Sequence, residues 1–310
     1  MIYDDYKYRI PQGKRVRLII DTDAKNEADD QYCIVHALLS PKFDNRGIIA
    51  AHFGNEKTPH SMQDSYDEVV RVLDKMDFPK ELLYKGAEHE IPDMKTPVAS
   101  EGADLIIEEA MKESDEPLYV IFLGPLTDMA SALLKEPRIA DRMTCIWIGG
   151  EAYPEGGFEY NLSNDVKAAR YVFNSTIPLW QIPRNVYTHV TVSMAELEYK
   201  VYPCGEIGKY LFEQLEEWGQ TKWAIRGPRT GEYWSLGDSP AIGVLLYAHM
   251  YDYEWQIAPY ITDEMNYMPS KHNRPIRVYN KVDYRFILED MFAKLALFAK
   301  KKGQMNCSNN

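Results

Sequence analysis

The chain has 310 residues, of which 45% are hydrophobic and 12% aromatic, and its formal net charge is −12 with a pI near 5.1. That composition is typical of a globular protein long enough to bury one large core or two smaller ones. The acidic balance would repel the phosphates of nucleic acids and anionic membrane surfaces, so the sequence argues against both as partners.

The spacing of the cysteines and the lack of long apolar segments indicate in which cellular compartment we expect the protein. Cys33, Cys145, Cys204 and Cys307 lie far apart without a Cys-x-x-Cys pair, a pattern typical of reduced thiols in a cytosolic protein. The N-terminal residues lack the apolar run of a signal peptide, and no later segment approaches the ~18 apolar residues of a membrane span. We therefore expect a cytoplasmic protein.

Short β-rich segments alternate with segments of helical period along the first part of the chain. Strands are predicted at residues 16–20, 47–53, 118–122, 144–148 and 177–182, and helices at 29–39, 61–76 and 103–112. This alternation predicts an α/β fold with a mainly parallel sheet and helices on both faces.

The second half of the sequence is more helical. Helices are predicted at 195–200, 206–218, 239–250 and 284–300, whereas 151–163 and 220–236 are rich in glycine and aromatic residues and are predicted to be functional loops. No change in composition marks a boundary, so we expect residues 1–310 to form a single domain.

A cluster of carboxylates follows the first predicted strand. Asp21, Asp23, Glu27, Asp29 and Asp30 place five carboxylates within ten residues, where they repel one another unless a cation neutralises them. Ligands of open α/β sheets collect at the carboxyl ends of the strands, which is where this cluster lies. Oxygen ligands without histidine or cysteine among them favour calcium or magnesium over zinc.

The carboxylate cluster has three other interpretations, of which one can be excluded from the sequence. Asp29 and Asp30 could simply cap the following helix, although capping explains one aspartate rather than all of them. An EF-hand is excluded, because Asn26 stands where that loop needs glycine and Tyr32 where it needs glutamate. A strand ending in Asp-x-Asp also resembles the magnesium-dependent haloacid-dehalogenase-type phosphatases, with Asp21 as the nucleophile, but no downstream lysine and acidic pair stands out.

The segment DTDAKNEADDQYCIVHALL, residues 21–39, resembles the N-terminal signature of the inosine-uridine-preferring nucleoside hydrolase family. In that signature Asp-x-Asp, a short turn and Asp-Asp open the first helix, and the turn here has five residues instead of three. Further segments resemble the family's motifs in the same order across most of the chain, namely GNE at 54–56, LGPLTD at 123–128, IGG at 148–150, FEYN at 158–161 and GDSPA at 237–241.

The resemblance implies a three-layer, Rossmann-like nucleoside hydrolase fold and a calcium-dependent enzyme. Such an enzyme hydrolyses the N-glycosidic bond of ribonucleosides to free base and ribose, and its family usually forms homodimers or homotetramers. It also implies a set of calcium ligands, consisting of Asp23, Asp30, Asp238 and the main-chain oxygen of Leu123, and Asp23 as the base that takes a proton from the calcium-bound water.

The remaining implied contacts concern the substrate. Asp29 is expected to bind the ribose 2′-hydroxyl, and Asn55, Glu159, Asn161 and Asp238 the rest of the ribose site. A site that pairs each hydroxyl discriminates strongly for an intact ribose, because a missing hydroxyl leaves buried polar groups unsatisfied.

Activation of the leaving base is the feature in which this sequence departs from many members of the family. Gly237 stands where many members carry a histidine that acts as the acid. The aromatic-rich segment could replace it by stacking on a purine or by donating a proton, although its aromatic residues could equally belong to an interface or to the core. The residues concerned are Trp223, Arg226, Tyr233 and Trp234.

Two further possibilities stay open. A protein that kept the ribose pocket but lost its acid could be a catalytically silent nucleoside- or sugar-binding protein. The extra residues Lys25, Asn26 and Glu27 lie next to the aspartates, where the lysine could neutralise the cluster or contact the substrate, or the three could form a solvated turn.

Overall fold

An eight-stranded sheet forms the centre of the computed structural model, which describes residues 3–226, 230–247 and 252–303 and only the backbone of Arg226. The strands of this sheet and of two small ones are β1 (Val16–Thr22), β2 (Phe43–Ala50), β3 (Leu83–Lys85), β4 (Leu118–Phe122), β5 (Met143–Ile148), β6 (Leu179–Ile182), β7 (Thr191–Ser193), β8 (Tyr233–Ser235), β9 (Tyr253–Ile257), β10 (Tyr260–Ile261), β11 (Tyr267–Met268) and β12 (Pro275–Tyr279).

The strand order of the large sheet is β3-β2-β1-β4-β5-β6-β12-β9. All neighbouring pairs are parallel except β12 and β9, which are antiparallel. From β1 the chain first adds β2 and β3 on one side of the sheet, and it then adds β4 and β5 on the other side of β1. The direction in which strands are added therefore reverses between β1 and β4. In open parallel sheets the crevice at such a reversal is where ligands bind.

Helices cover both faces of the sheet. They are α1 (Asp30–Leu38), α2 (Ser61–Met76), α3 (Glu101–Met111), α4 (Thr127–Lys135), α5 (Tyr160–Asn164), α6 (Val166–Asn174), α7 (Arg184–Tyr187), α8 (Met194–Lys200), α9 (Gly205–Gly219), α10 (Lys222–Arg226), α11 (Pro240–Leu246) and α12 (Tyr284–Lys301).

The sheet separates two hydrophobic cores. Leu18 and Ile20 of β1 face the core formed with α1, α2, α9, α11 and α12, whereas Ile19 faces the core formed with α3, α4 and α6. Because both faces are buried, the centre of the strand, residues 18–20, is a continuous apolar run rather than an alternating one. The predicted architecture, with a mainly parallel sheet and helices on both faces, is confirmed.

The predicted strands correspond to β1, β2, β4, β5 and β6, although the limits differ. β2 begins at Phe43, four residues before the predicted start at residue 47. The prediction began too late because half-buried Asp44 and Arg46 interrupt the apolar pattern of the strand. The helix predicted at 239–250 is observed as α11, and residues 248–250 lie outside the described part of the chain, as does Cys307. The segment 220–236 was predicted to be a loop throughout but contains α10 and β8.

In the described residues, no helix has both the length and the apolar character that crossing a bilayer requires.

Candidate metal and substrate site

A cavity of about 80 Å³ lies beyond the carboxyl ends of β1, β4 and β5. Residues that follow these three strands share its wall with residues from two loops distant in sequence, so the sheet brings together what the sequence separates. The lining consists of Asp23, Asn26, Glu27, Asp29, Asp30, Leu123, Ile148, Glu159, Tyr160, Asn161, Tyr187, Gly237 and Asp238.

Three carboxylates in this cavity are spaced for a metal ion. One carboxylate oxygen from each of Asp29, Asp30 and Asp238 lies within 4.8 Å of the others. Asp30 is also held in place by Thr22, whose hydroxyl donates a hydrogen bond of 2.5 Å to Oδ1. Asp29 precedes α1 but its side chain accepts no capping hydrogen bond from that helix, so helix capping does not explain this carboxylate.

The pKa values of the aspartates reflect burial and mutual repulsion. Burial and the neighbouring charge of Asp30 raise the pKa of Asp29 to about 7, and burial raises the pKa of Asp30 to about 6. Burial first, and then nearby aspartates, hold the pKa values of Asp23 and Asp238 well above their usual range. Clustered carboxylates of this kind, with a main-chain carbonyl beside them, suit a hard divalent cation such as calcium or magnesium.

Asp23 lies against the loop that follows β4. A Cβ atom added at Gly124 would stand 2.9 Å from Cγ of Asp23, so glycine is needed for this approach. Asn26 donates a hydrogen bond of 3.1 Å from Nδ2 to Oδ2 of Asp23. The neighbouring Leu123 carbonyl accepts a hydrogen bond of 2.6 Å from Nδ2 of Asn161.

Glu159 is buried and accepts several hydrogen bonds. Its carboxylate accepts from the backbone N–H of Gly150 at 2.8 Å and of Leu162 at 2.9 Å, and from the hydroxyl of Tyr187 at 2.8 Å. Burial raises the pKa of Glu159, and these bonds oppose that shift. The carboxylate of Glu159 is therefore held in a fixed orientation at the wall of the small cavity.

A second cavity of about 390 Å³ adjoins the first, and the two share Glu27, Asp29, Tyr160, Tyr187 and Gly237. Its other walls include Phe158, Arg184, Trp218, Trp223 and Tyr233. Flat aromatic walls beside a polar cavity are suited to a planar apolar group linked to a polyol.

The aromatic residues predicted to contact the base divide into two groups. Trp223 and Tyr233 line the second cavity. Trp234 is 4% exposed and packs edge-to-face on Trp218 with 5.5 Å between ring centroids, which places it in the core behind the cavity wall. The side chain of Arg226 lies outside the described residues, so its role stays a prediction.

Asn55 does not join the other predicted ribose contacts in the small cavity. It lines a larger neighbouring cavity of about 630 Å³ with Glu56, Glu88 and His89, which meets the small cavity at Tyr160.

Within the extra residues of the first turn, Lys25 and Asn26 have different surroundings. Lys25 forms an ion pair with Glu68 at 3.3 Å. The half-buried ammonium of Lys57 lies near the aspartates, and it donates to Oδ1 of Asn26 at 2.5 Å.

Asn26, Lys57, Tyr160 and Tyr187 also belong to this site, although the sequence motifs predict no role for them. Tyr187 ends the short helix that directly follows β6, so its place near the carboxyl edge of the sheet was a usable signal. Lys57 carries no such signal, because its contacts come from the first turn and from α5, α9 and α10.

Asp21 has no access to the cavity and is fully buried. Burial, and then the neighbouring Asp128, raise the pKa of its carboxyl well above the usual range. A carboxyl that is buried away from the cavity cannot reach a substrate bound there, so the structure does not support Asp21 as the nucleophile of a phosphatase.

Comparison with known proteins gives the family. Residues 18–289 match the sequence model of the inosine-uridine preferring nucleoside hydrolases, and the chain belongs to this family. The resemblance inferred from the motifs is thereby confirmed.

Curated relatives match over part of their length. The pyrimidine-specific ribonucleoside hydrolase RihA of Salmonella paratyphi A is 26% identical over 203 residues, which cover 58% of this chain and 64% of the relative. RihA of Escherichia coli O9:H4 is 27% identical over 184 residues, 52% of this chain and 58% of the relative. The matched part therefore spans less than two thirds of these relatives.

Solved structures match over nearly the whole chain. A purine-preferring ribonucleoside hydrolase from Gardnerella vaginalis superposes with a TM-score of 0.75 at 21% identity, covering 92% of this chain and 99% of the other. An inosine-uridine preferring nucleoside hydrolase from Bacillus anthracis gives 0.62 at 18% identity, covering 92% and 99%. These likenesses confirm the predicted nucleoside hydrolase fold.

Proposed function

We propose that this protein is a calcium-dependent hydrolase of ribonucleosides that releases the free base and ribose. The observation that carries the proposal is the junction of two cavities, one lined by buried aspartates and the other by aromatic rings, which share Asp29, Tyr160 and Tyr187. Family membership supports the same reaction.

Asp23, Asp30, Asp238 and the Leu123 carbonyl would hold calcium, and the spacing of Asp29 with Asp30 and Asp238 adds Asp29 to the candidates. Calcium, when bound, supplies positive charge that orients the ribose 2′- and 3′-hydroxyls and the attacking water.

Asp23 is proposed as the general base that removes a proton from that water. Asp23 lines the small cavity with the other aspartates, and proton transfer by a positioned carboxylate contributes substantially to catalysis. Asp29, Glu159 and Asn161 would bind the ribose hydroxyls, since all three line the same small cavity. Asn55 is proposed to reach the ribose from the neighbouring cavity.

The leaving base is proposed to lie in the aromatic cavity. Trp223 and Tyr233 offer ring surfaces there, and Tyr233 or Arg226 could donate a proton to the base. One relative is named pyrimidine-specific and a structural neighbour purine-preferring, so the names do not choose the base.

The organisation of the protein is part of the proposal. We propose a single domain over residues 1–310, supported by the sheet that runs from β1 to β12, and a cytoplasmic homodimer or homotetramer.

The proposal is tested by incubating the purified protein with a panel of purine and pyrimidine ribonucleosides, with calcium and with a chelator, while free ribose is measured. Ribose release that depends on calcium supports the hydrolase and names the base. Tight nucleoside binding without release would instead favour the catalytically silent binding protein, which the glycine at position 237 suggests.

A further inference from the structure

The side chain of Asn26 connects two opposite charges. Its Nδ2 donates to Oδ2 of Asp23 at 3.1 Å, while Lys57 Nζ donates to Oδ1 of Asn26 at 2.5 Å and to its main-chain oxygen at 2.8 Å. An ammonium group can only donate hydrogen bonds and an ionised carboxylate can only accept them. The two neighbours therefore dictate the orientation of the amide, with its oxygen toward Lys57 and its nitrogen toward Asp23.

Lys57 is itself held in place by aromatic rings. Its Nζ lies 5.0 Å from the ring centroid of Tyr160, 5.7 Å from that of Trp218 and 5.9 Å from that of Trp223. Ammonium groups within about 6 Å of an aromatic ring face are attracted by its quadrupole. All three rings also line the aromatic cavity.

The backbone of Asn26 is fixed as firmly as its side chain. Trp218 Nε1 donates a hydrogen bond of 3.2 Å to the main-chain oxygen of Asn26, and the Asn26 N–H donates to the main-chain oxygen of Asp23 at 2.7 Å. Asn26 therefore cannot turn away from Asp23 without breaking contacts with α9 and Lys57.

We propose that Asn26 and Lys57 are positioning residues for Asp23. Asn26 holds one carboxylate oxygen, Oδ2, so that the other oxygen stays available to the water and the cation, and Lys57 acts through Asn26 by fixing its amide. This inference rests on the proposed function, in which Asp23 is the general base. It also gives the longer first turn a purpose, because that turn supplies Asn26.

The experiment compares Asn26→Ala, Lys57→Met and their double variant with the wild type, on the ribonucleoside that the wild type cleaves best. Lys25→Met is the matched control, because Lys25 belongs to the same turn but pairs with Glu68. Lys57→Arg tests rescue by another group that only donates. The measurements are kcat, KM, the calcium dissociation constant by titration calorimetry, and thermal unfolding.

Removing a group that orients a metal-site carboxylate lowers activity or metal affinity by about 10–100-fold. We expect each single variant to lose kcat in that range with KM little changed, since neither residue is placed on the ribose or the base. Because Lys57 acts through Asn26, the double variant should lose no more than Asn26→Ala alone. Lys57→Arg should recover most of the loss, and Lys25→Met should behave as the wild type.

Three results would overturn the inference, namely unchanged kcat in both single variants, losses that multiply in the double variant, or an equal loss in Lys25→Met. If the wild type releases no ribose from any nucleoside, the proposed function fails independently. The calcium titrations then test separately whether Asn26 and Lys57 position Asp23. Asn26→Ala should still bind calcium about 10-fold more weakly than the wild type, and an unchanged affinity would refute the positioning role as well.

Discussion

At the scale of single residues, Tyr187 occupies the space beside Gly237. A Cβ atom added at Gly237 would lie 3.0 Å from Cδ2 of Tyr187 and 3.4 Å from Oδ2 of Asp29. Tyr187 cannot move freely, because its hydroxyl donates to Glu159. The space that a histidine side chain would need at position 237 is therefore occupied by Tyr187.

Gly237→His should accordingly weaken the enzyme rather than improve it. The added Cβ already requires Tyr187 to shift, and we expect kcat/KM for the best ribonucleoside to fall by at least about 10-fold, because small displacements at a reacting site are that costly. Gly13→Ala is the control, since its added Cβ meets nothing within 4 Å. A Gly237→His variant as active as the wild type would show that Tyr187 does not restrict this position.

The residues of the site could be predicted in part. Asp23, Asp29 and Asp30 line one cavity at the end of β1, as the position of ligands in parallel sheets predicts. Asp238 lines the same cavity, and only the motif resemblance predicted it there. For Asn26 the sequence predicts only a place in a long, solvated turn. Its role depends on Lys57, 31 positions away, and no spacing rule pairs these two residues.

At the scale of elements, β8 presents neighbouring aromatic residues to different surroundings. Tyr233 lines the aromatic cavity, whereas Trp234 packs on Trp218 in the core. Successive residues of a strand point to opposite faces, so this separation follows from the backbone.

Truncating these two residues should therefore have different effects. Trp234→Ala removes a buried indole and should lower the free energy of unfolding by about 3–5 kcal/mol. Tyr233→Ala should leave stability nearly unchanged and lower kcat/KM. Denaturant unfolding and steady-state kinetics on both variants check the difference. Equal stability of Trp234→Ala and the wild type would contradict the assignment of Trp234 to the core.

Strands could be predicted from the sequence where both faces of the strand are buried. β1, β4 and β5 each contain at least three consecutive apolar residues, whereas Arg277 interrupts the short β12 in its middle. The guanidinium of Arg277 lies 3.9 Å from the ring centroid of Trp180 and 4.1 Å from that of Tyr253. A charged residue inside a strand conceals the apolar pattern, and β9 at the sheet edge has exposed side chains such as Trp255. Both strands were missed for this reason.

At the scale of the whole molecule, the sheet order assembles the site from segments that lie far apart. The reversal between β1 and β4 joins the first turn to Leu123, and the loop before α11 adds Asp238. Strand order is set by non-local pairing, so periodicity alone could not predict it, and the motif resemblance supplied that part.

The buried carboxylates of Asp29 and Asp30 should make calcium binding depend on pH. The pKa values of about 7 for Asp29 and about 6 for Asp30 are raised, so in chelator the folded state binds more protons than the unfolded state up to about pH 7. These two groups therefore make the free energy of unfolding fall as the pH rises through that range. Calcium must displace the same protons, so acid opposes its binding.

The rise in Tm caused by calcium should consequently be larger at about pH 8 than at about pH 5. Thermal unfolding with calcium and with chelator at both values measures it, and comparing the two at each pH cancels the contribution of groups outside the site. A rise that is the same at both pH values would show that calcium does not bind these carboxylates.

The central claim is that Asp23 activates the water that cleaves the N-glycosidic bond. The most direct measurement is the rate of ribose release by Asp23→Asn and by the wild type, with calcium, on the best ribonucleoside, after thermal unfolding has shown that both are folded. We predict a loss of at least about 100-fold, as expected for removal of a general base. Ribose release within about 10-fold of the wild type would contradict the assigned role of Asp23.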